Sequence, residues 1–140
     1  MKFWDTSALF VLLTIQHGSS SASAVFSSDA EVAAWWGTPV ELASAAARLR
    51  RMGEVDEAGY VRILSKIGPL AQRTEEVQPS EEVRQTALRL IRVHDLRAAD
   101  ALQLGAALVW ARHIPTGLEF VCMDARLRAA AEKEGFSVLG

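Results

Sequence analysis

The chain has 140 residues, half of them hydrophobic and 23% charged, a composition that fits one domain with a real core and excludes wholesale disorder. Fifteen Lys and Arg against seventeen Asp and Glu give a formal charge of -2, so this is no polycation that binds nucleic acid by bulk charge. The one cysteine, Cys122, excludes a disulfide framework and a multi-cysteine zinc site, and it suits a reducing, cytoplasmic setting.

Lys2-Phe3-Trp4 reads as a short strand and Asp5-Thr6-Ser7 as the cap of a helix running to about Gln16. Lys2, the apolar run Ala8–Ile15 and Ala22-Ser23-Ala24 together mimic a secretory leader, but the run is short and Asp5 offsets the charge of Lys2. No apolar run approaches the ~20 residues that cross a bilayer, so no membrane association is expected. Gln16–Ser28, with six serines and one glycine, is expected to be a loop or lid.

Val32–Trp36 is expected to be a buried strand with both tryptophans packed inside. Thr38-Pro39-Val40-Glu41 has the pattern of a capping box, opening a helix to Arg51 or Met52 that stops at Gly53. A helix over about Val55–Ile67 closes at Gly68-Pro69, with Leu70–Arg73 as a candidate further turn, and Glu76-Val77-Gln78 is a candidate edge strand. Pro79-Ser80 starts a helix with Val83, Ala87, Leu90 and Ile91 as its buried stripe, and another helix spans about Arg97–Arg112. Leu118–Met123 reads as a strand, Asp124–Gly135 as a helix and Phe136–Leu139 as a last strand. Strands each followed by helices predict an α/β fold with a short, mainly parallel central sheet in a single domain over residues 1–140.

Several chemistries lack their residues. Neither phosphate-binding glycine pattern occurs, nor a G-x-S-x-G elbow. His17, His94 and His113 lie far apart and read as surface or helix-end residues. The acids are more informative. Asp5 and Asp124 stand where two strands end, Glu41 in the first turn after a third, and Asp100 near the start of a helix with an apolar face. In a parallel sheet these carboxyl ends share one edge. Each acid alone suits a helix cap worth about 1 kcal/mol. Two carboxylates ~4 Å apart repel by roughly 4 kcal/mol at an intermediate dielectric, so a cluster must protonate or hold a cation. An all-oxygen donor set favours Mg²⁺ or Mn²⁺.

Asp5-Thr6-Ser7-Ala8-Leu9, Pro39–Ala45, Ala99–Leu104 and Met123–Leu127 resemble, in order and spacing, the four motifs of PIN-domain ribonucleases of the VapC toxin type. The resemblance spans nearly the whole chain. It implies a PIN-like three-layer fold and an endoribonuclease that cleaves RNA by metal-activated water. Asp5, Glu41, Asp100 and Asp124 would hold one or two Mg²⁺ or Mn²⁺ ions, and Ser7 would position a water or phosphate. It further implies a homodimer neutralised by a cognate VapB-type antitoxin. One departure stands at Cys122, where the family often has Ser or Thr two residues before its last acid. The alternative is a catalytically silent PIN-like protein-interaction module. Aspartyl phosphotransfer is disfavoured by Ser7 standing where a second Asp is needed.

Leaving the four candidate acids out of the seventeen leaves thirteen against fifteen bases, so the remainder is mildly basic. Arg48, seven residues after Glu41 and near the same helix face, is a candidate phosphate contact. Arg50, Arg51, Arg126 and Arg128 are weaker candidates of the same kind.

Overall fold

Five short strands, all parallel, lie in the order β3-β2-β1-β4-β5. They are β1 (Lys2–Trp4), β2 (Val32–Trp35), β3 (Thr74–Val77), β4 (Glu119–Val121) and β5 (Ser137–Leu139) in a computed structural model that describes residues 1–14 and 21–140. The segment that mimics a leader forms the central strand and the helix after it, α1 (Thr6–Thr14). The far end of that expected helix lies outside the described residues.

Successive strand residues face opposite ways, and here both faces are covered. Phe3, Ala33, Trp35 and Phe120 pack under α5 (Glu81–Val93), α6 (Ala98–Trp110) and α7 (Ala125–Glu134). Trp4, Val32, Ala34 and Val121 pack under α1, α2 (Ser21–Ser28), α3 (Thr38–Arg51) and α4 (Glu57–Ala71). This burial on both sides explains why the inner strands β1, β2 and β4 read as mainly apolar runs rather than alternating ones, unlike the edge strand β3.

Several local expectations are corrected. Ser21–Ser28 is helical because Ala22, Val25 and Phe26 make an apolar stripe, with Phe26 edge-on to Trp4 at 6.0 Å. Ser27 and Ser28 donate to the carbonyls of Ser23 and Val25, so the serines are compatible with the helix. The rest of the expected loop, residues 16–20, lies outside the described residues. Helix α4 continues through Gly68-Pro69, because Ile63, Ile67 and Leu70 extend its apolar face and Pro69 falls in the last turn. Trp35 is buried, but Trp36 is 49% exposed, because β2 ends at Trp35 and Trp36 lies in the turn that follows.

On α5 the buried stripe is Val83, Thr86, Ala87 and Leu90, an i, i+3, i+4, i+7 set. Thr86 is tolerated there because its hydroxyl donates to the Glu82 carbonyl at 2.8 Å, while Ile91 faces outward. Helices α5 and α6 approach closely at Gly105, where a Cβ would lie 3.2 Å from the Val83 carbonyl oxygen and 3.3 Å from the Ala87 nitrogen. Among the described residues, no helix is long and apolar enough to cross a membrane.

Gly105→Val is expected to destabilise the chain by at least about 1–3 kcal/mol, because backbone atoms rather than flexible side chains block the added methyls. Urea titration monitored by tryptophan fluorescence measures this. A midpoint equal to wild type refutes the close approach.

Candidate active site

The parallel sheet brings the chain out of every strand on one edge, and the carboxylates are distributed along it. Asp5 follows the central strand and caps α1: its Oδ2 accepts from the Ser7 backbone N–H at 2.8 Å and from the Ser7 hydroxyl at 2.5 Å. The Ser7 Oγ also accepts from the Met123 N–H at 2.9 Å, which ties the start of α1 to the chain leaving β4. Ser7 therefore has its proton and a lone pair committed to holding Asp5 in place. Cys122 is fully buried and its thiol lies 3.6 Å from the same Asp5 oxygen. Burial pushes the thiol well above its usual range, and the Asp5 charge adds to this, so Cys122 is an inert weak donor.

Asp5 is only 4% exposed. Burial raises its carboxyl above the usual range, the bonds from Ser7 and Cys122 oppose this, and the charge of Asp100 raises it further.

Glu41 does not complete a capping box. The N-cap of α3 is Gly37, with no side-chain cap bond, so the helix starts one residue earlier than a box centred on Thr38 requires. The Glu41 side chain turns instead across the sheet edge. Its Oε2 accepts from the Thr6 hydroxyl at 2.9 Å and from Gln103 Nε2 at 3.1 Å. Gln103 Nε2 also approaches Thr6 Oγ1 at 2.6 Å and Thr38 Oγ1 at 3.3 Å. Burial raises the Glu41 carboxyl, the Gln103 and Thr6 bonds lower it, and the charges of Asp5 and Asp100 raise it. Thr6 and Gln103 escape a reading of the sequence that searches for charged groups. The available signal is a Gln on the apolar face of α6, which is only 1% exposed.

Asp100 makes the contact that the sequence suggested for Glu41. It lies three residues after the N-cap Arg97, whose backbone N–H bonds to it. Burial, then the Asp124 charge, raises its carboxyl, while Arg97 and Arg126 oppose them. Asp124 is exposed and caps α7, its Oδ1 accepting from the Leu127 N–H at 2.9 Å. Arg97, Asp100, Asp124 and Arg126 line an open cleft of about 590 Å³.

The four acids thus form a chain of electrostatic neighbours from Glu41 through Asp5 and Asp100 to Asp124. Their grouping is looser than expected: among the described residues, no three His, Cys, Asp or Glu side chains gather closely enough to enclose an ion. The capping bonds draw Asp5 and Asp124 back toward their own helices, while Glu41 is drawn toward Thr6 and Gln103.

The basic candidates separate by what already occupies them. Arg50 bonds Glu57 at 3.2 Å and lies 4.0 Å over the Tyr60 ring, and Arg128 holds the carbonyls of Cys122 and Gly140. Arg48 is exposed on α3 and lies outside the cleft lining, whereas Arg97 and Arg126 flank the acids. His94 and His113 pair with Glu134 and Glu82 at 2.7 and 2.9 Å, as helix-end residues. His17 lies outside the described residues.

This sheet order with helices on both faces is a PIN-like fold. It matches the FitAcB structure from Neisseria gonorrhoeae at a TM-score of 0.67, with 20% identity over 100% of this chain and 97% of that one. A toxin-antitoxin complex from Klebsiella pneumoniae matches at 0.65, with 18% identity over 92% of this chain and 91% of that one. No family model matches the sequence. Over 139 residues it is nonetheless 32% identical to the ribonucleases VapC45 and VapC49 of Mycobacterium tuberculosis (strains CDC 1551 / Oshkosh and ATCC 25618 / H37Rv), covering 99% of this chain and 94% of each relative. The chain belongs to the VapC ribonuclease family.

The raised carboxyls have a consequence for stability. A carboxyl whose folded pKa exceeds its unfolded value binds more protons when folded, so its contribution falls as pH rises from the unfolded value through the folded one. Asp5, Glu41 and Asp100 all carry this sign. Asp5→Asn keeps an oxygen for the Ser7 bonds and removes the buried charge. In chelator it is expected to melt above wild type at pH 7, with the gain vanishing below about pH 4, where unfolded carboxyls are protonated. Melting curves across pH measure this, and a gain that persists in acid contradicts it.

Proposed function

We propose that this chain, working as one domain over residues 1–140, is a divalent-metal-dependent endoribonuclease and the toxin of a toxin–antitoxin pair. The carrying observation is how the carboxylates are held. Among the described residues, Asp5 is bonded through Oδ2, Glu41 through Oε2 and Asp124 through Oδ1. Each keeps its other oxygen for a ligand. Asp5 and Glu41 are also pushed toward protonation by burial and by their neighbours' charge, and neither has an ion pair with a cationic side chain among the described residues. A hard dication suits that donor set, and a loose one at that, because Mg²⁺ keeps several of its waters.

In this reading Asp5, Glu41, Asp100 and Asp124 hold Mg²⁺ or Mn²⁺, directly or through water. When bound, the ion supplies an acidified water and countercharge for the scissile phosphate. Ser7 acts as a positioning residue: its hydroxyl and N–H fix the Asp5 carboxylate, and its bond to Met123 keeps Asp124 in register with it. Arg97 and Arg126 line the cleft where an RNA phosphate would approach. Arg48 is a more distant phosphate contact. The relatives are named ribonucleases, and the fold matches include a toxin-antitoxin complex. Both support RNA as substrate and a VapB-type antitoxin as partner, for a cytoplasmic homodimer.

Pure protein incubated with total RNA and Mn²⁺ or Mg²⁺ is expected to leave 5′-phosphate and 3′-hydroxyl ends and to stop in EDTA. Glu41→Gln and Asp124→Asn should each lower cleavage by ~100-fold or more, since loss of a mere supporting partner already costs 10–100-fold. Cleavage that survives chelation, or 2′,3′-cyclic phosphate ends, refutes the mechanism. A folded wild type with no cleavage in either metal favours the silent interaction module. Co-expression of the adjacent small gene should relieve growth arrest caused by the chain.

A further inference from the structure

The side chain of Gln103 is placed as no packing requirement explains. It is buried on α6 at 1% exposure, in a helix whose other buried residues are Ala, Leu and Gly. Its Nε2 faces Glu41 Oε2 at 3.1 Å and Thr6 Oγ1 at 2.6 Å, while the Thr6 hydroxyl donates to the same Glu41 oxygen at 2.9 Å. Amide nitrogen, hydroxyl and carboxylate oxygen form a closed triangle joining α6, α1 and α3.

The orientation of the amide is set by chemistry. Turning it over would point Oε1 at a carboxylate oxygen, acceptor against acceptor. Held as it is, Oε1 has no hydrogen-bond partner among the described residues. A buried amide oxygen left unpaired costs stability, and an apolar side chain of the same size would avoid that cost. The amide serves Glu41 at the expense of the core.

We propose that Gln103, with Thr6, is a positioning residue for Glu41: the pair engages Oε2 and leaves only Oε1 to face a divalent cation. This rests on the metal-dependent reading above. Gln103 touches neither ion nor substrate. It sets which Glu41 oxygen is available and prevents the side chain from rotating away.

A structural role and a positioning role give opposite stability results. Gln103→Met removes both polar ends and keeps the length. Without metal it is expected to melt at or above the wild-type temperature. Mn²⁺ affinity by isothermal titration calorimetry should fall about 10-fold or more, in the range for lost supporting bonds to a ligand. The Mn²⁺-induced rise in melting temperature should shrink with it. Thr6→Val, which removes the second donor to the same oxygen, should weaken Mn²⁺ binding in the same direction. If Gln103 acts through Glu41, adding Gln103→Met to Glu41→Gln should cost no further affinity. Wild-type Mn²⁺ affinity in both Gln103→Met and Thr6→Val overturns the proposal. So does a full additional loss in the double variant, or a Gln103→Met chain that melts well below wild type with metal affinity intact. A wild type that binds no Mn²⁺ overturns the metal-dependent reading, and this proposal with it.

Discussion

A carboxylate buried at the end of the central strand constrains the rest of the site. Asp5 follows β1, which is paired on both sides and covered on both faces. A charge there lies in poor solvent, and only specific hydrogen bonds make it tolerable. Ser7 supplies two of them to Asp5, and its hydroxyl in turn accepts from the Met123 N–H. The same hydroxyl that supports Asp5 therefore fastens β4's exit to α1, one residue before the chain reaches the α7 cap at Asp124. The geometry of one acid is transmitted to the next through a single serine.

Charge is graded along this edge. At the β2 side, the partners of Asp5 and Glu41 among the described residues are neutral donors: Ser7, Cys122, Thr6 and Gln103. At the α6–α7 side, Arg97 and Arg126 stand beside Asp100 and Asp124 and draw Asp100 back toward its usual range. Neutral donors hold a carboxylate without neutralising it, so its field stays available to a cation. Arginines at the open mouth attract a polyanion without filling the buried end. In the proposed reading the buried carboxylates suit a cation, and the arginine-lined cleft beside Asp100 and Asp124 suits a phosphate.

Legibility in the sequence followed the nature of the signal. The acids at strand ends were visible because strand, turn and helix punctuation is local: Ser80, Asp124 and Gly135 cap and stop helices where their types suggest. The capping-box pattern around Glu41 is only apparent, because Thr-Pro-x-Glu satisfies the local rule one residue out of register and the N-cap, Gly37, carries no side-chain bond. Local pattern cannot weigh a competing partner 62 residues away, as Gln103 is. The serines of α2 were read as loop formers, yet burial of Phe26 against Trp4 outweighed propensity. Gly68-Pro69 failed as a stop for the same reason, since Leu70 still has a core to join.

The two described buried side-chain polar atoms without a partner are Gln103 Oε1 and Trp4 Nε1. One belongs to the clamp on Glu41 and the other to the residue before Asp5. Such atoms are few in folded chains because each is costly. Burying raised-pKa carboxylates beside one another adds a second cost of the same kind, which an ion would relieve. Both costs fall on the elements around the acids. The layers farther away, such as the stacked pair Phe3 and Phe120 at 5.7 Å and the close α5–α6 approach at Gly105, follow ordinary packing rules. A chain under selection for folding alone would replace Gln103 with Leu or Met and neutralise Asp5. Keeping both within a mainly apolar core is what the proposed metal site requires, at a cost to stability.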